Sequence, residues 1–319
     1  MNTPETFISV IACTHRRPQS LDMLLDSLTR QSWNGGGWEL IVVENDTEPS
    51  PELADVVKKY ERILPIMWCL EPIPNLSRAR NLGAQEARGK YLAYLDDDAE
   101  AMPGWLEALM TGCREYAPDF CGGPSHPLYR TPKPYWFRDE WGIVYCYGDV
   151  PMKTDKPLGG MNFVVKRELA LSLGGFRECL GMAGDKIAYG EEVDLMMRAR
   201  NSNPDLTVVY LPEVAVRHEI RPEKMTIRWC LRSAWAIGRD IVTMGMGTGC
   251  LGSWSGIIRV ALHAMKRMIL CLPRLIVLAV ADIFRPGRSV WRRYVKERLT
   301  DCIGEFSRAV RAAELRLKR

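Results

Sequence analysis

The chain has 319 residues, of which 47% are hydrophobic and 26% charged. That length allows one large or two small domains with a substantial core, and the composition excludes a disordered chain. The net charge of +4 is unevenly placed: residues 285–319 hold 11 Lys/Arg against 4 Asp/Glu and the remainder is slightly acidic, so the basic excess points to a local anionic partner at the C-terminal end and not to nucleic acid.

Residues 7–13 (FISVIAC) are short, β-branched and apolar, and predict a buried strand. Pro18 opens a helical segment with Leu21, Leu24, Leu25 and Leu28 on one face. A second strand, ELIVV (39–43), ends in Glu44-Asn45-Asp46; 52–62 is helical, IMWCL (66–70) is a third strand, and Leu76 to Ala87 a helix ended by Gly89. YLAYL (91–95) is a fourth strand and runs into Asp96-Asp97-Asp98. Strands alternating with helices predict βαβ units and a mostly parallel sheet, whose ligands sit outside the carboxyl ends of the strands. Thr14-His15-Arg16, Glu44-Asn45-Asp46 and the Asp run all fall at that edge. A solvated loop would explain one of them; three favour a site.

Residues 117–160 are rich in Pro, Gly and aromatics and predict irregular structure lining a cleft. A strand at 162–165, a helix at 167–173, a helix carrying YGEEVDLMMRAR, a strand at 207–211, a short extended piece (VAVRH, 214–218) and a helix from Met225 to Thr243 follow. Residues 268–284 are strongly apolar, but Pro273 and Arg274 interrupt them and argue against a simple membrane span. Beyond them Trp291, Val295, Leu299, Cys302, Phe306 and Val310 recur at helical spacing among Arg292, Arg293, Lys296 and Arg308. This fits a helix lying in a membrane interface, or an amphipathic helix capping the domain; the coincidence of apolar run and basic excess favours the membrane. The ten cysteines show no CxxC pair or zinc spacing, and the opening MNTPETFISV shows no secretory signal pattern, so free thiols in a reducing cytoplasm are expected.

Three adjacent carboxylates repel, and one use relieves the repulsion: holding a hard divalent cation, whose shell is completed by water and substrate phosphates. The alternative for an isolated DDD is a solvated acidic turn.

With these motifs in order, the chain resembles the family 2 glycosyltransferases over roughly residues 7–220, and within them the bacterial succinoglycan-type exopolysaccharide glucosyltransferases. The resemblance is carried by FISVIACTHRRPQSLDMLLDSLTRQSW, ELIVVENDTEP, NLSRARNLGAQEARGKYLAYLDDD, LGGMNFVVKRE with LGGFRE, and YGEEVDLMMRAR. It implies a GT-A fold, a Rossmann-like, mostly parallel α/β sheet flanked by helices. The expected catalytic domain is 1–223, with a nucleotide-binding half (1–100) and an acceptor-binding half (101–223). A helical, membrane-associating region (224–319) follows.

The resemblance further implies a nucleotide-sugar donor, a UDP-sugar in the nearest relatives, and Mn²⁺ or Mg²⁺. Thr14, Arg16, Glu44, Asn45, Arg80 and Asp97 match donor-contacting positions. Glu44-Asn45 departs from the two Asp common in the family, which loosens the identity of the base. Asp96, Asp98 and His218 match the metal site, Gly160 and Asn162 the sugar and acceptor pocket, and Glu192 or Glu191 the base that takes the acceptor proton. Tyr135, Trp136 and Trp141 would stack on sugar rings or pack in a core. The implied reaction is inverting transfer to a lipid-linked or polysaccharide acceptor at the cytoplasmic side of an inner membrane, by a peripheral or monotopic protein. A homo-oligomer is left open. The competing readings are a glycan-binding relative without catalysis and a nucleotidyltransferase; CTHRRPQS is not the Gly-rich phosphate loop the latter would carry.

Overall fold

The computed structural model describes residues 7–32, 37–184, 186–246, 249–284 and 289–318; Arg285 and Arg288 of the basic segment and the first six residues of the opening stretch lie outside them. The chain divides into two compact units. The first comprises the described residues up to Leu128, Gly142–Gly184 and Glu191–Glu219; the second comprises Tyr129–Trp141, 186–190 and the described residues from Ile220. A single cut at residue 223 therefore misses two excursions, 129–141 and 186–190, which cluster with the C-terminal helices.

The first unit is built on strands β1 (Ile8–Thr14), β2 (Trp38–Glu44), β3 (Ile66–Leu70) and β4 (Tyr91–Asp96), interleaved with helices α1 (Pro18–Thr29), α2 (Pro51–Tyr60) and α3 (Leu76–Glu86). After β5 (Ala99–Ala101) come α4 (Trp105–Tyr116), β6 (Phe120–Gly122), β7 (Ser125–Leu128), β8 (Met152–Lys153), β9 (Asn162–Lys166), α5 (Arg167–Ser172), α6 (Glu191–Ser202), β10 (Val208–Tyr210) and β11 (Val216–Glu219). Eight strands form one sheet in the order β3-β2-β1-β4-β9-β6-β10-β8, and β5-β11-β7 form a small second sheet. Strands β1 to β4 pair in parallel, and β9 enters antiparallel beside β4. The result is the α/β, mostly parallel GT-A architecture.

Alternation along each strand builds two cores. Ile8, Val10, Ala12, Leu40, Val42, Ala93 and Leu95 pack with α1, α2 and α4 on one face; Ile11, Ile41, Val43, Leu92 and Tyr94 pack with α3, α5 and α6 on the other. Helix α3 lies unusually close to the sheet, because a Cβ at Gly83 would sit 2.5 Å from Ile11 Cγ2. That approach matters below, since α3 carries Arg80. Short strands β5 to β7 and helix α4 were not anticipated. The strands have three or four residues, too few for periodicity to register, whereas Trp105, Leu106, Leu109, Met110 and Cys113 are a readable helical stripe.

The second unit is helical: α7 (Ile227–Thr243), α8 (Trp254–Phe284), α9 (Val290–Tyr294) and α10 (Thr300–Leu317), with a π-turn at Val295–Leu299 joining the last two. Helix α8 continues through Pro273, which removes one backbone donor without ending it. Among the described residues no helix is long and apolar enough to cross a membrane. The apolar stripe expected to face an interface is turned inward: Val295 and Cys302 are buried, and Phe306 packs near Trp235. The exposed apolar surface lies instead on α8, where Ile269, Leu270, Ile276, Val277, Ile283 and Phe284 are each more than 60% accessible.

Candidate active site

Strand register brings the polar strand ends level. Thr14 pairs with Glu44 across β1–β2, and Cys13 pairs with Asp96 across β1–β4. The three aspartates then diverge to three different partners. Asp96 Oδ1 accepts from Arg80 at 3.0 Å. Asp97, buried, accepts from Thr14 Oγ1 at 2.7 Å and from Arg17 at 3.2 Å. Asp98 lies 2.9 Å from His218 Nε2 and 3.8 Å from Arg17. β11 delivers His218 by pairing antiparallel with β5, directly after the Asp run.

Candidate ligand atoms of Asp96, Asp98 and His218 all lie within 4.8 Å of one another. Two carboxylates and one imidazole suit a divalent cation such as Mn²⁺. Charge supports the fit. Arg17 reaches Asp97 and Asp98, and Arg80 reaches Asp96 and Glu191, so carboxylates crowd the site. Burial, then the neighbouring Asp98 carboxylate, pushes the Asp97 carboxyl up to about 6, against Arg17 and Thr14.

Arg80 joins this cluster to α6. It is buried on α3, and besides Asp96 it donates to Glu191 Oε1 at 2.7 Å and to the Gly160 carbonyl at 3.2 Å. Burial disfavours its charge, but Glu191, Asp96 and Glu192 more than offset this and raise its pKa. Burial, then Glu192, pushes the Glu191 carboxyl up to about 8, with Arg80 opposing. Glu192 differs: one carboxylate oxygen accepts from the Gly160 N–H at 2.9 Å, while the other is buried without a partner. A Cβ at Gly160 would displace the Glu192 carboxylate and crowd the Arg80 guanidinium.

Other expected positions sit differently. Arg16 is exposed at a positive φ of 55° and forms an ion pair with Asp46, whose carboxyl its hydrogen bond lowers to about 2. Glu44 is buried and accepts from the Ser50 N–H at 2.6 Å, with its second oxygen unpartnered. The Asn45 amide is fully used: it donates to the Glu71 and Ile73 carbonyls and accepts from the Asn75 N–H, fixing the turn that enters α3. The Asn162 side chain does not line the cluster; it accepts from Trp105 Nε1 at 3.1 Å and donates to the Val214 carbonyl at 2.6 Å inside the core. Trp136 and Trp141 belong to an aromatic cluster of the second unit with Phe137, and Tyr135 is exposed.

Two residues of the site escaped the sequence reading. Arg17 meets Asp97 and Asp98; its signal is the adjacent-arginine step at a strand end, where only the geometry of the turn decides which one points inward. Tyr145 lies with its ring against Gly159, and its pKa is raised by burial and then by Glu192. It sits in a stretch without periodicity.

Residues 9–163 match the model for glycosyl transferase family 2. The chain carries a family 2 glycosyltransferase domain. It is 28% identical over 239 residues to the glucosyl-dolichyl phosphate glucuronosyltransferase of Haloferax volcanii, covering 72% of this chain and 74% of that one. It is 26% identical over 234 residues to the succinoglycan biosynthesis protein ExoM of Rhizobium meliloti, covering 73% of each. The crystal structure of GalNAc-T7 with UDP, GalNAc and Mn²⁺ superposes with a TM-score of 0.53 at 16% identity, over 74% of this chain and 48% of that one. At that identity the likeness concerns the fold. The glycosyltransferase thus places its acidic cluster and α6 within one folded unit.

Two outcomes follow for this unit. Asn162→Ala leaves the Trp105 N–H and the Val214 carbonyl unpaired and should lower the urea-unfolding free energy by about 1–3 kcal/mol; an unchanged urea midpoint would contradict its role in the core. Glu191 binds a proton more tightly when folded (about 8) than its ordinary value of 4.5. Its protonation therefore stabilises the fold fully below about pH 4.5, and that contribution is lost as pH rises through about 8. In cation-free buffer, wild-type stability should fall relative to Glu191→Gln between pH 5 and 8.5; parallel urea midpoints would contradict this.

Proposed function

We propose that this glycosyltransferase moves a sugar from a UDP-sugar to a hydroxyl of a lipid-linked or polysaccharide acceptor, with inversion and with a divalent cation at Asp96, Asp98 and His218. The supporting observation is the placement of that cluster beside α6, with Arg80 bonded to both. UDP and Mn²⁺ in the GalNAc-T7 structure, and a glycosyl-lipid phosphate substrate in the name of the Haloferax relative, point the same way.

A bound cation supplies charge stabilisation to the diphosphate as it leaves. The protein's own residues do the rest. Asp97 and Thr14 hold the ribose, Arg17 pairs with the phosphates, and Gly160, without a side chain, leaves room for Glu192 and Arg80. Glu192, with one unpartnered buried oxygen, takes the proton of the acceptor hydroxyl as that oxygen bonds to the anomeric carbon and the bond to the diphosphate breaks. Glu191 is held by Arg80 and serves to position that guanidinium. The protein would act at the cytoplasmic side of the inner membrane as a peripheral protein, with the exposed apolar face of α8 against lipid and the basic C-terminal residues near anionic headgroups.

Asp98→Asn should reduce sugar transfer at least about a hundredfold while the fold and its circular dichroism persist. Glu192→Gln should lower kcat by about 10²–10⁴ with UDP binding retained; a loss confined to Glu191→Gln would move the base to that residue. Charging the α8 face with Ile276→Asp and Val277→Asp should abolish co-sedimentation with phosphatidylglycerol vesicles and spare UDP binding. Unchanged co-sedimentation would remove α8 from the membrane surface.

A further inference from the structure

The second unit contains an open groove of about 680 Å³, a size typical of small-molecule sites. Segment 186–190, α7, α8 and α10 all contribute to it. Trp235, Met268, Ile303 and Phe306 make its surface apolar, and the Trp235 and Phe306 rings lie 6.3 Å apart. Three cations border it: Lys186, Arg232 and Arg239. Arg239 is already spent, donating to the Asp240 carboxylate at 2.7 Å and to the Ile187 carbonyl at 2.8 Å. Lys186 and Arg232 are exposed, and among the described residues neither pairs with a carboxylate.

That combination narrows the occupant. A neutral apolar molecule would leave two cations unused, and a free anion would leave the apolar surface wet. A nucleotide would place polar edges against Trp235, Met268, Ile303 and Phe306 without donors to meet them. One molecule with an apolar chain ending in an anionic group satisfies both parts. Met268 lines the groove, and Met265 and Leu272, one turn to either side of it on α8, are exposed apolar residues. In sequence, Lys186 and Ile187 stand just ahead of Glu191 on α6.

We infer that this groove holds the phosphate-proximal part of a single-chain lipid phosphate, the carrier of the acceptor, with Lys186 and Arg232 on the phosphate. The inference rests on the lipid-linked acceptor proposed above and assigns it a site outside the sheet domain.

The test uses the full chain in mild detergent, titrated with farnesyl phosphate, farnesol, inorganic phosphate and short-chain phosphatidylglycerol and followed by calorimetry. Farnesyl phosphate should bind saturably, at least tenfold tighter than each of the other three. Arg232→Glu, on the surface, should weaken it at least tenfold, and Ala236→Trp, which fills the groove, should abolish it. Equal binding of farnesol, equal or tighter binding of phosphatidylglycerol, or an unaffected Arg232→Glu variant would overturn the assignment. If Ala236→Trp does not fold, Arg232→Glu decides. UDP binding with Mn²⁺ should be unchanged in Arg232→Glu, and Asp98→Asn should still bind farnesyl phosphate. Loss of transfer in Asp98→Asn without any farnesyl phosphate binding by the wild type would leave the glycosyltransferase reading standing and remove only this one.

Discussion

A buried guanidinium organises the candidate site. Arg80 comes from α3, and its partners come from the end of β4 (Asp96), the turn before β9 (Gly160) and the start of α6 (Glu191). Taking such a charge out of water costs several kcal/mol unless its hydrogen bonds are met. Three distant segments are thereby tied to one geometry, and Gly83 lets α3 come close enough to the sheet to make it. The arrangement also explains why the two glutamates of α6 are not equivalent. Glu191 accepts a hydrogen bond from Arg80, while Glu192 turns to the Gly160 N–H and keeps one oxygen uncommitted.

The same logic resolves the Asp run. Adjacent residues at a strand end point in different directions, so each carboxylate finds its own partner: Arg80, Thr14 with Arg17, and His218. Ligand atoms of Asp96, Asp98 and His218 converge there, a donor set that suits a divalent cation.

The helical unit separates its two apolar surfaces. Val295 and Cys302 of the stripe on α9 and α10 pack inside with Ala309, and Phe306 lines the groove, while α8 keeps its outer face bare. A surface of that kind is uncommon on a protein that meets only water. With the apolar groove and its cations, the helical unit presents apolar and basic surface, while the sheet unit gathers carboxylates at its strand ends.

Much of the first unit was legible in the chain because its signals are local. Short β-branched runs, leucines at helical spacing and carboxylates after a strand set β1 to β4, the parallel order and the acidic strand end, and the motif order set the family. The sequence also determined that a glutamate pair opens α6. Tertiary structure alone decided what depends on contacts between segments far apart: that Arg17 and not Arg16 meets the aspartates, that Asn45 and Asn162 are spent on backbone groups, and that Glu192 holds the free oxygen. It likewise decided that the amphipathic stripe faces inward and α8 outward. Periodicity reports that a helix has an apolar face, but only packing determines whether that face meets protein or is left for something else to cover.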